Sequence, residues 1–361
     1  MKKIVVAAGG TGGHLYPAIA VVEELLKEYK EDIEFMFIGS KNKIEGRVVP
    51  ELGYRFQHLD IEGIRSFFSL STILLPFKIL KAQATMAKIL SEEKPDLVLC
   101  AGAYISYPVG IAAYKKSIPL FLLESNVQPG KTNKLLAKKA TKVFTSYKES
   151  KKFLSIRKDK CIVVGNPVRN TFTQSPSKVA SIQSFGLDPS KKTILVFGGS
   201  LGANSINTAV IEQLLPMIEE NDIQLIWQTG SNFVVPTTLP KGVKALPFIT
   251  DMASAYDAAT MVVCRAGATS LSELSLVKKP AILIPYPFAA YNHQHSNAMA
   301  YVSKNAAVIL EDSKLAEAFQ QTVLELLKNE KLQKQLSLNI SKLATPNAAK
   351  DVVTVLLKYL Q

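Results

Sequence analysis

The sequence predicts an α/β protein built as two doubly wound parallel-sheet domains. Three observations predict it. The chain has 361 residues, and domains of roughly 100–200 residues make two the default. A unit of short β-branched run, loop and amphipathic helix repeats through the first half, and restarts near Lys191-Lys192. The strand runs are continuously apolar rather than alternating, which is how parallel strands buried on both faces read.

In order, residues 3–8 read as the first strand. A helix spans 17–30, with Ile19, Val22, Leu25, Leu26 and Tyr29 on one face and Pro17 in its first turn. Further strands are read at 33–38, 96–100, 120–124, 142–145 and 161–164. After the restart they are read at 193–197, 224–228, 244–247, 261–264 and 281–285. A helix is expected from the second glycine loop through Met217, and the chain from Ser313 on is mostly helical. Gly165-Asn166-Pro167-Val168-Arg169 reads as the hinge, since Asn-Pro is a turn signal. That gives domains 1–164 and 165–345, each Rossmann-like, with a ligand crevice at strand C-terminal ends.

Composition narrows the class. Hydrophobic residues make up 47%, and the net charge is +13. Such a charge favours anionic partners: nucleic acid, an anionic membrane or phosphorylated substrates. The basic residues read as dispersed and no RNA-binding motif is present, so nucleic acid is not expected. Cys100, Cys161 and Cys264 lie far apart on apolar runs, with no zinc spacing and no disulfide framework. They read as core residues of a cytoplasmic protein. Met1-Lys2-Lys3 precedes only five apolar residues, which suits a buried strand rather than a signal peptide. No run approaches the ~18 apolar residues of a membrane span.

Three glycine-rich loops each follow a strand and open a helix. The first is Gly9-Gly10-Thr11-Gly12-Gly13-His14. Glycines there let amides approach a ligand, and the helix N-terminus favours an oxyanion. The spacing matches neither the dinucleotide fingerprint nor a P-loop. His14 lies on the first turn of the helix, where the neutral imidazole is favoured, as a general base needs. The second loop is Gly198-Gly199-Ser200-Leu201-Gly202, whose Ser200 offers a hydroxyl to phosphate. The third runs from Arg265 through Gly267, Ala268, Thr269, Ser270, Leu271 and Ser272 to Glu273. Glu273 reads as a first-turn residue able to accept from ribose hydroxyls. Asn292-His293-Gln294-His295 can hydrogen-bond a sugar but is poorly spaced for a metal. No Asp-x-Asp is present to chelate a nucleotide-bound cation, so neither metal nor cofactor is expected.

Residues 61–94 are unusually apolar, with basic side chains interleaved. Phe67, Phe68, Leu74, Leu75, Phe77, Lys78 and Lys81 are the expected membrane contacts, on an element suited to lying on an anionic bilayer.

Taken together, the motifs resemble the MurG family of bacterial UDP-N-acetylglucosamine transferases over essentially the whole chain. The carriers are Gly9 through Ala18, Gly102-Ala103-Tyr104, Glu124-Ser125-Asn126, Thr132-Asn133-Lys134, Val164 through Arg169, Gly198-Gly199-Ser200 and Cys264 through Ala268. The resemblance implies a GT-B fold: two Rossmann-like domains facing a central cleft, with a C-terminal helix at about 346–361 packing back on the first. It implies an inverting transfer of GlcNAc from UDP-GlcNAc to the MurNAc C4 hydroxyl of undecaprenyl-linked lipid I, giving lipid II. The enzyme would be peripheral on the cytoplasmic face of the bacterial cell membrane.

The resemblance also assigns residues. Thr11, Gly12 and Gly13 would face the donor sugar and the acceptor diphosphate, and Asn126 the donor sugar. Arg169 would contact the nucleotide, Ser200 the UDP phosphates, and Ile249 the uracil through its backbone. Ala268 to Glu273 would hold phosphate and ribose, Gln294 the GlcNAc hydroxyls, and His14 would assist the acceptor hydroxyl. Two departures stand out: Ser125 replaces a common glutamine, and His293 stands where the family often has another. Two rival readings are a UDP-GlcNAc 2-epimerase and a non-catalytic nucleotide-sugar-binding partner.

Overall fold

The computed structural model describes residues 1–29, 32–61, 75–173 and 177–361. The chain divides into two compact units, Met1–Arg169 with Pro346–Gln361, and Asn170–Thr345.

The first unit holds a seven-stranded sheet in the order β3-β2-β1-β4-β5-β6-β7. Its strands are β1 (Lys2–Ala7), β2 (Ile33–Gly39), β3 (Arg55–His58), β4 (Leu97–Cys100), β5 (Leu120–Glu124), β6 (Lys142–Thr145) and β7 (Cys161–Val163). Every pairing is parallel. Alternate residues of one strand feed opposite cores, because successive side chains leave opposite faces. Val5, Val98 and Leu122 join Met86 and Val109 on one face. Ile4, Leu99 and Phe121 join Leu15, Ile19 and Val22 on the other. That second core also takes Val352, Val353 and Leu356 from the helix Ala348–Leu356, which packs on helix α1 (Gly12–Glu28).

The second unit holds a six-stranded parallel sheet, β10-β9-β8-β11-β12-β13. Its strands are β8 (Lys192–Phe197), β9 (Ile223–Gln228), β10 (Val243–Leu246), β11 (Met261–Cys264), β12 (Ala281–Leu283) and β13 (Val308–Ile309). Trp227 is its largest fully buried side chain, and its indole N–H donates to Asn207 Oδ1 at 3.0 Å. All three cysteines are buried, and burial pushes the Cys100 thiol up to about 12.

Several local expectations need correction. Helix α1 starts at Gly12, five residues early, so Pro17 is its sixth residue and not in the first turn. Pro17 therefore costs the helix a bond to the Gly13 carbonyl. The helix expected through Met217 stops at Ala209 and continues as a π-turn, Val210–Leu214, and a 3-10 turn, Leu215–Met217. Pro216 has no N–H to donate, which forces the change of register. Two edge strands, β3 and β13, escaped the sequence pattern, one for its polar side chains and one for its length. Phe67, Phe68 and Leu74 lie outside the described residues.

Candidate active site

Each sheet reverses its winding at one strand. In the first unit β1 has β2 on one side and β4 on the other; in the second, β8 lies between β9 and β11. Loops leaving the C-terminal ends of strands at such a point splay apart and form a crevice. The first glycine loop and Gly102 leave β1 and β4. The second and third glycine loops leave β8 and β11.

In the first loop, Gly10 sits at φ +83°, a left-handed conformation that glycine takes without strain. Thr11 is exposed and is the N-cap of α1, Gly12 is buried, and Gly13 and His14 are half-buried. His14 is the third residue of the helix. Its Nδ1 lies 2.8 Å from the Ala101 carbonyl oxygen. A carbonyl can only accept, so Nδ1 carries the proton and Nε2 keeps its lone pair. The ring comes so close to β4 that a Cβ on Gly102 would meet it at 2.9 Å.

The sequence reading missed what holds this loop. Glu45 is fully buried, in the first turn of helix α2 (Ile44–Glu51). Its Oε1 and Oε2 accept the Gly10 N–H at 3.1 and 3.0 Å, and Oε1 accepts the Ser40 N–H at 3.0 Å. The Ser40 hydroxyl in turn lies 3.0 Å from Tyr104 OH. Glu45 stands among Lys41, Lys43 and Arg47 and reads as a solvated helix start. The glycines at Gly9 and Gly39 were the available signal, since both abut its side chain.

A second buried carboxylate shapes the loop after β5. Glu124 Oε1 accepts from the Asn126 N–H at 2.9 Å and its amide nitrogen at 3.2 Å. Oε2 accepts from the Gly130 N–H and the Asn133 amide, both at 2.9 Å. Burial raises the Glu124 pKa and these donors pull it back. Arg169 lies 4.5 Å above the Tyr16 ring on α1. Its charge opposes the rise that burial imposes on Glu23.

The second unit is built differently. Gly199 and Gly202 have φ of +98° and +76°, and a Cβ on Gly202 would lie 2.1 Å from the Thr229 carbonyl oxygen. Ser200 on this loop is half-buried. Gln228 spans the site: its amide nitrogen donates to Gly199 O at 2.8 Å, and its oxygen accepts the Ile249 N–H at 2.8 Å. Arg265 is the buried hub. It donates to the Ile284 and Pro285 carbonyls at 3.3 and 3.2 Å, to Ser205 Oγ at 2.8 Å, and to Asp312. Its guanidinium also lies 5.4 Å from the Tyr286 ring centroid.

The helix Ala268–Val277 corrects two readings of the third loop. Glu273 is its sixth residue, beyond the first turn, and accepts from Tyr256 OH at 2.9 Å. Leu271 is wholly buried, its N–H donates to the Gly267 carbonyl and its own carbonyl accepts from Ser275 Oγ, so it does not offer itself to a ligand. Ala268 and Thr269 are buried, while Ser270 and Ser272 are half-buried; Ser272 Oγ donates to Ala268 O at 3.0 Å. Gln294 accepts the Tyr286 N–H at 3.0 Å. Just before it, Tyr291 and Asn292 both take left-handed φ, 56° and 51°. Among the described residues no cluster of three His, Cys, Asp or Glu could hold a metal ion.

Residues 4–145 match the glycosyltransferase family 28 N-terminal domain, and residues 193–352 its C-terminal domain. A curated relative from Flavobacterium psychrophilum is 39% identical, spanning 99% of this chain and 98% of its own length. One from Phocaeicola vulgatus is 40% identical, over 99% and 96%. Both are named UDP-N-acetylglucosamine–N-acetylmuramyl-(pentapeptide) pyrophosphoryl-undecaprenol N-acetylglucosamine transferase. The crystal structure of Acinetobacter baumannii MurG is 27% identical, with TM-score 0.74, covering 99% of this chain and 100% of that one. A Neisseria meningitidis UDP-GlcNAc 2-epimerase bound to UDP-GlcNAc shares the fold at TM-score 0.70 over 99% and 100%, with 17% identity.

Proposed function

This chain belongs to glycosyltransferase family 28, and on that premise we propose that it transfers GlcNAc from UDP-GlcNAc to the lipid-linked MurNAc acceptor, making lipid II for peptidoglycan. The observation that carries the reading is full-length identity of 39–40% to transferases of that name. The epimerase likeness is one of fold only.

The site chemistry supports an inverting, single-displacement transfer. His14 Nε2 takes the proton from the acceptor hydroxyl as it attacks the sugar carbon, and the ring is held in the competent tautomer by Ala101. UDP leaves as an anion, so its charge is stabilised by amides and a helix N-terminus. Ser200 and the helix-start amides of Ala268, Thr269 and Ser270 supply those groups in the second unit. Glu273 takes the ribose, and Ile249 the uracil through its carbonyl, because its N–H is committed to Gln228. Arg169 contacts the nucleotide. Thr11, Gly12, Gly13 and Asn126 face the donor sugar. The Gln294 oxygen is occupied by Tyr286, so its NH2 group is the donor for a sugar hydroxyl.

The protein rests on the cytoplasmic face of an anionic membrane. None of the described helices is long and apolar enough to cross a bilayer. On the helix Leu75–Glu93, Phe77 and Leu80 are 70% and 61% exposed, beside exposed Lys78 and Lys81. The helix packs on Ser106–Lys115, which carries exposed Tyr114 beneath Lys139. Basic side chains are not dispersed after all: residues 131–160 hold eleven against two acidic ones. Greasy tips ringed by lysine suit a headgroup boundary.

The test is UDP release with a soluble lipid I analogue. His14→Ala should lower turnover at least tenfold with UDP binding little changed; unchanged turnover removes His14 from catalysis. UDP-ManNAc formed from UDP-GlcNAc alone would sink the transferase reading.

A further inference from the structure

A glycine-rich turn ahead of a helix ordinarily offers its amides to an external anion. In the first loop the protein supplies that anion itself. Both oxygens of the buried Glu45 carboxylate take the Gly10 N–H, and one also takes the Ser40 N–H. The fit depends on missing side chains. A Cβ on Gly9 would lie 2.2 Å from Glu45 Oε1, and one on Gly39 2.4 Å from its Cγ. The amide at the left-handed turn is therefore committed, and a negative charge stands behind it.

We propose that Glu45 is a positioning residue for the transfer step. It fixes the backbone from Gly9 to Thr11, so that α1 begins at Gly12 with His14 against Ala101. It takes the Gly10 amide out of use for a ligand and leaves the amides at the start of α1 to face the reactants. The inference rests on the transferase reading and deepens it.

The test compares wild type with Glu45→Gln, Glu45→Ala and Gly39→Ala in the UDP-release assay. Donor KM and UDP affinity are measured alongside, and thermal unfolding checks the fold. Glu45→Ala should lower kcat at least twentyfold. Glu45→Gln keeps an oxygen for Ser40 but turns an NH2 group on Gly10, so it should lose about five- to twentyfold. Gly39→Ala displaces Glu45 most, with closer contact to Phe56 and the Ala8 carbonyl at 3.0 and 3.4 Å, and should lose at least fivefold. Donor KM and UDP affinity should stay within threefold throughout. If Glu45→Ala does not fold, the other two variants carry the test. Folded Glu45→Gln and Gly39→Ala with kcat within twofold of wild type overturn the proposal, as does a loss carried by donor KM. A wild type that binds UDP yet never turns over fails the transferase reading instead.

Discussion

The two units brace the loops after their strands with different groups. In the first, buried carboxylates do it: Glu45 under Gly10, Glu124 under Asn126 and Gly130. In the second, the neutral amide of Gln228 fastens the loop at Gly199, while the buried Arg265 guanidinium ties the Ile284 and Pro285 carbonyls to Ser205 and Asp312. A carboxylate consumes amide donors, the groups a phosphate would want. A guanidinium consumes carbonyls, and here its charge is matched by Asp312.

The largest expected effect comes from removing the cation. Arg265→Met leaves Asp312 without its buried partner, and breaking such a pair costs about 3–5 kcal/mol. Urea unfolding should show that loss, and calorimetry a UDP affinity at least thirtyfold weaker. UDP binding within threefold of wild type would break the comparison at its strongest point. Glu124→Ala strands four donors on Asn126, Gly130 and Asn133, for about 3 kcal/mol of stability. Its UDP affinity should nonetheless remain within threefold, and a larger change would show that the anionic unit also serves the diphosphate.

Reversing charge on the membrane helix lies outside both loop sets. Each lysine near an anionic surface contributes about 1 kcal/mol. Lys78→Glu with Lys81→Glu should cut vesicle association at least tenfold and leave turnover of a soluble acceptor within twofold. Equal binding of the double variant and wild type to anionic vesicles would remove this helix from the membrane contact.

The smallest effect sharpens what a paired cation means. Lys279 donates to the Asp257 and Ala259 carbonyls at 3.2 and 2.7 Å, and burial, with Lys178 nearby, pushes its pKa down to about 8. Between pH 8 and 10 the unfolded chain holds this proton more tightly than the folded one, so stability rises with pH in that window. The gain is on the order of 1 kcal/mol, and Lys279→Met should abolish it in parallel unfolding curves. Curves of equal slope would mean that the amine is not held in this way.

Much of this was legible in the chain. Strands such as Leu120–Glu124 and Met261–Cys264 declare themselves because parallel burial demands unbroken apolar runs. Glycines mark the loops because backbone closeness demands them. What the pattern hides is the support. Glu45 and Glu124 are charged residues in charged or polar company, and only the fold reveals that one has no access to water and the other almost none. Gln228 ends an apolar strand and looks like an edge residue. Glu273 was placed a turn too early because the start of the helix Ala268–Val277 depends on Gly267, not on its own periodicity.

Gln228 has a consequence for how this site can change. One side-chain amide fastens the turn at Gly199 and the backbone at Ile249. On the proposed assignment of Ile249 to the base and Ser200 to the phosphates, base selection and phosphate grip share a single fastener. A substitution that retunes one pulls on the other, so a switch to a different nucleotide calls for at least two coordinated replacements. On that assignment, mechanical linkage keeps the donor preference from drifting, in addition to whatever the base itself touches.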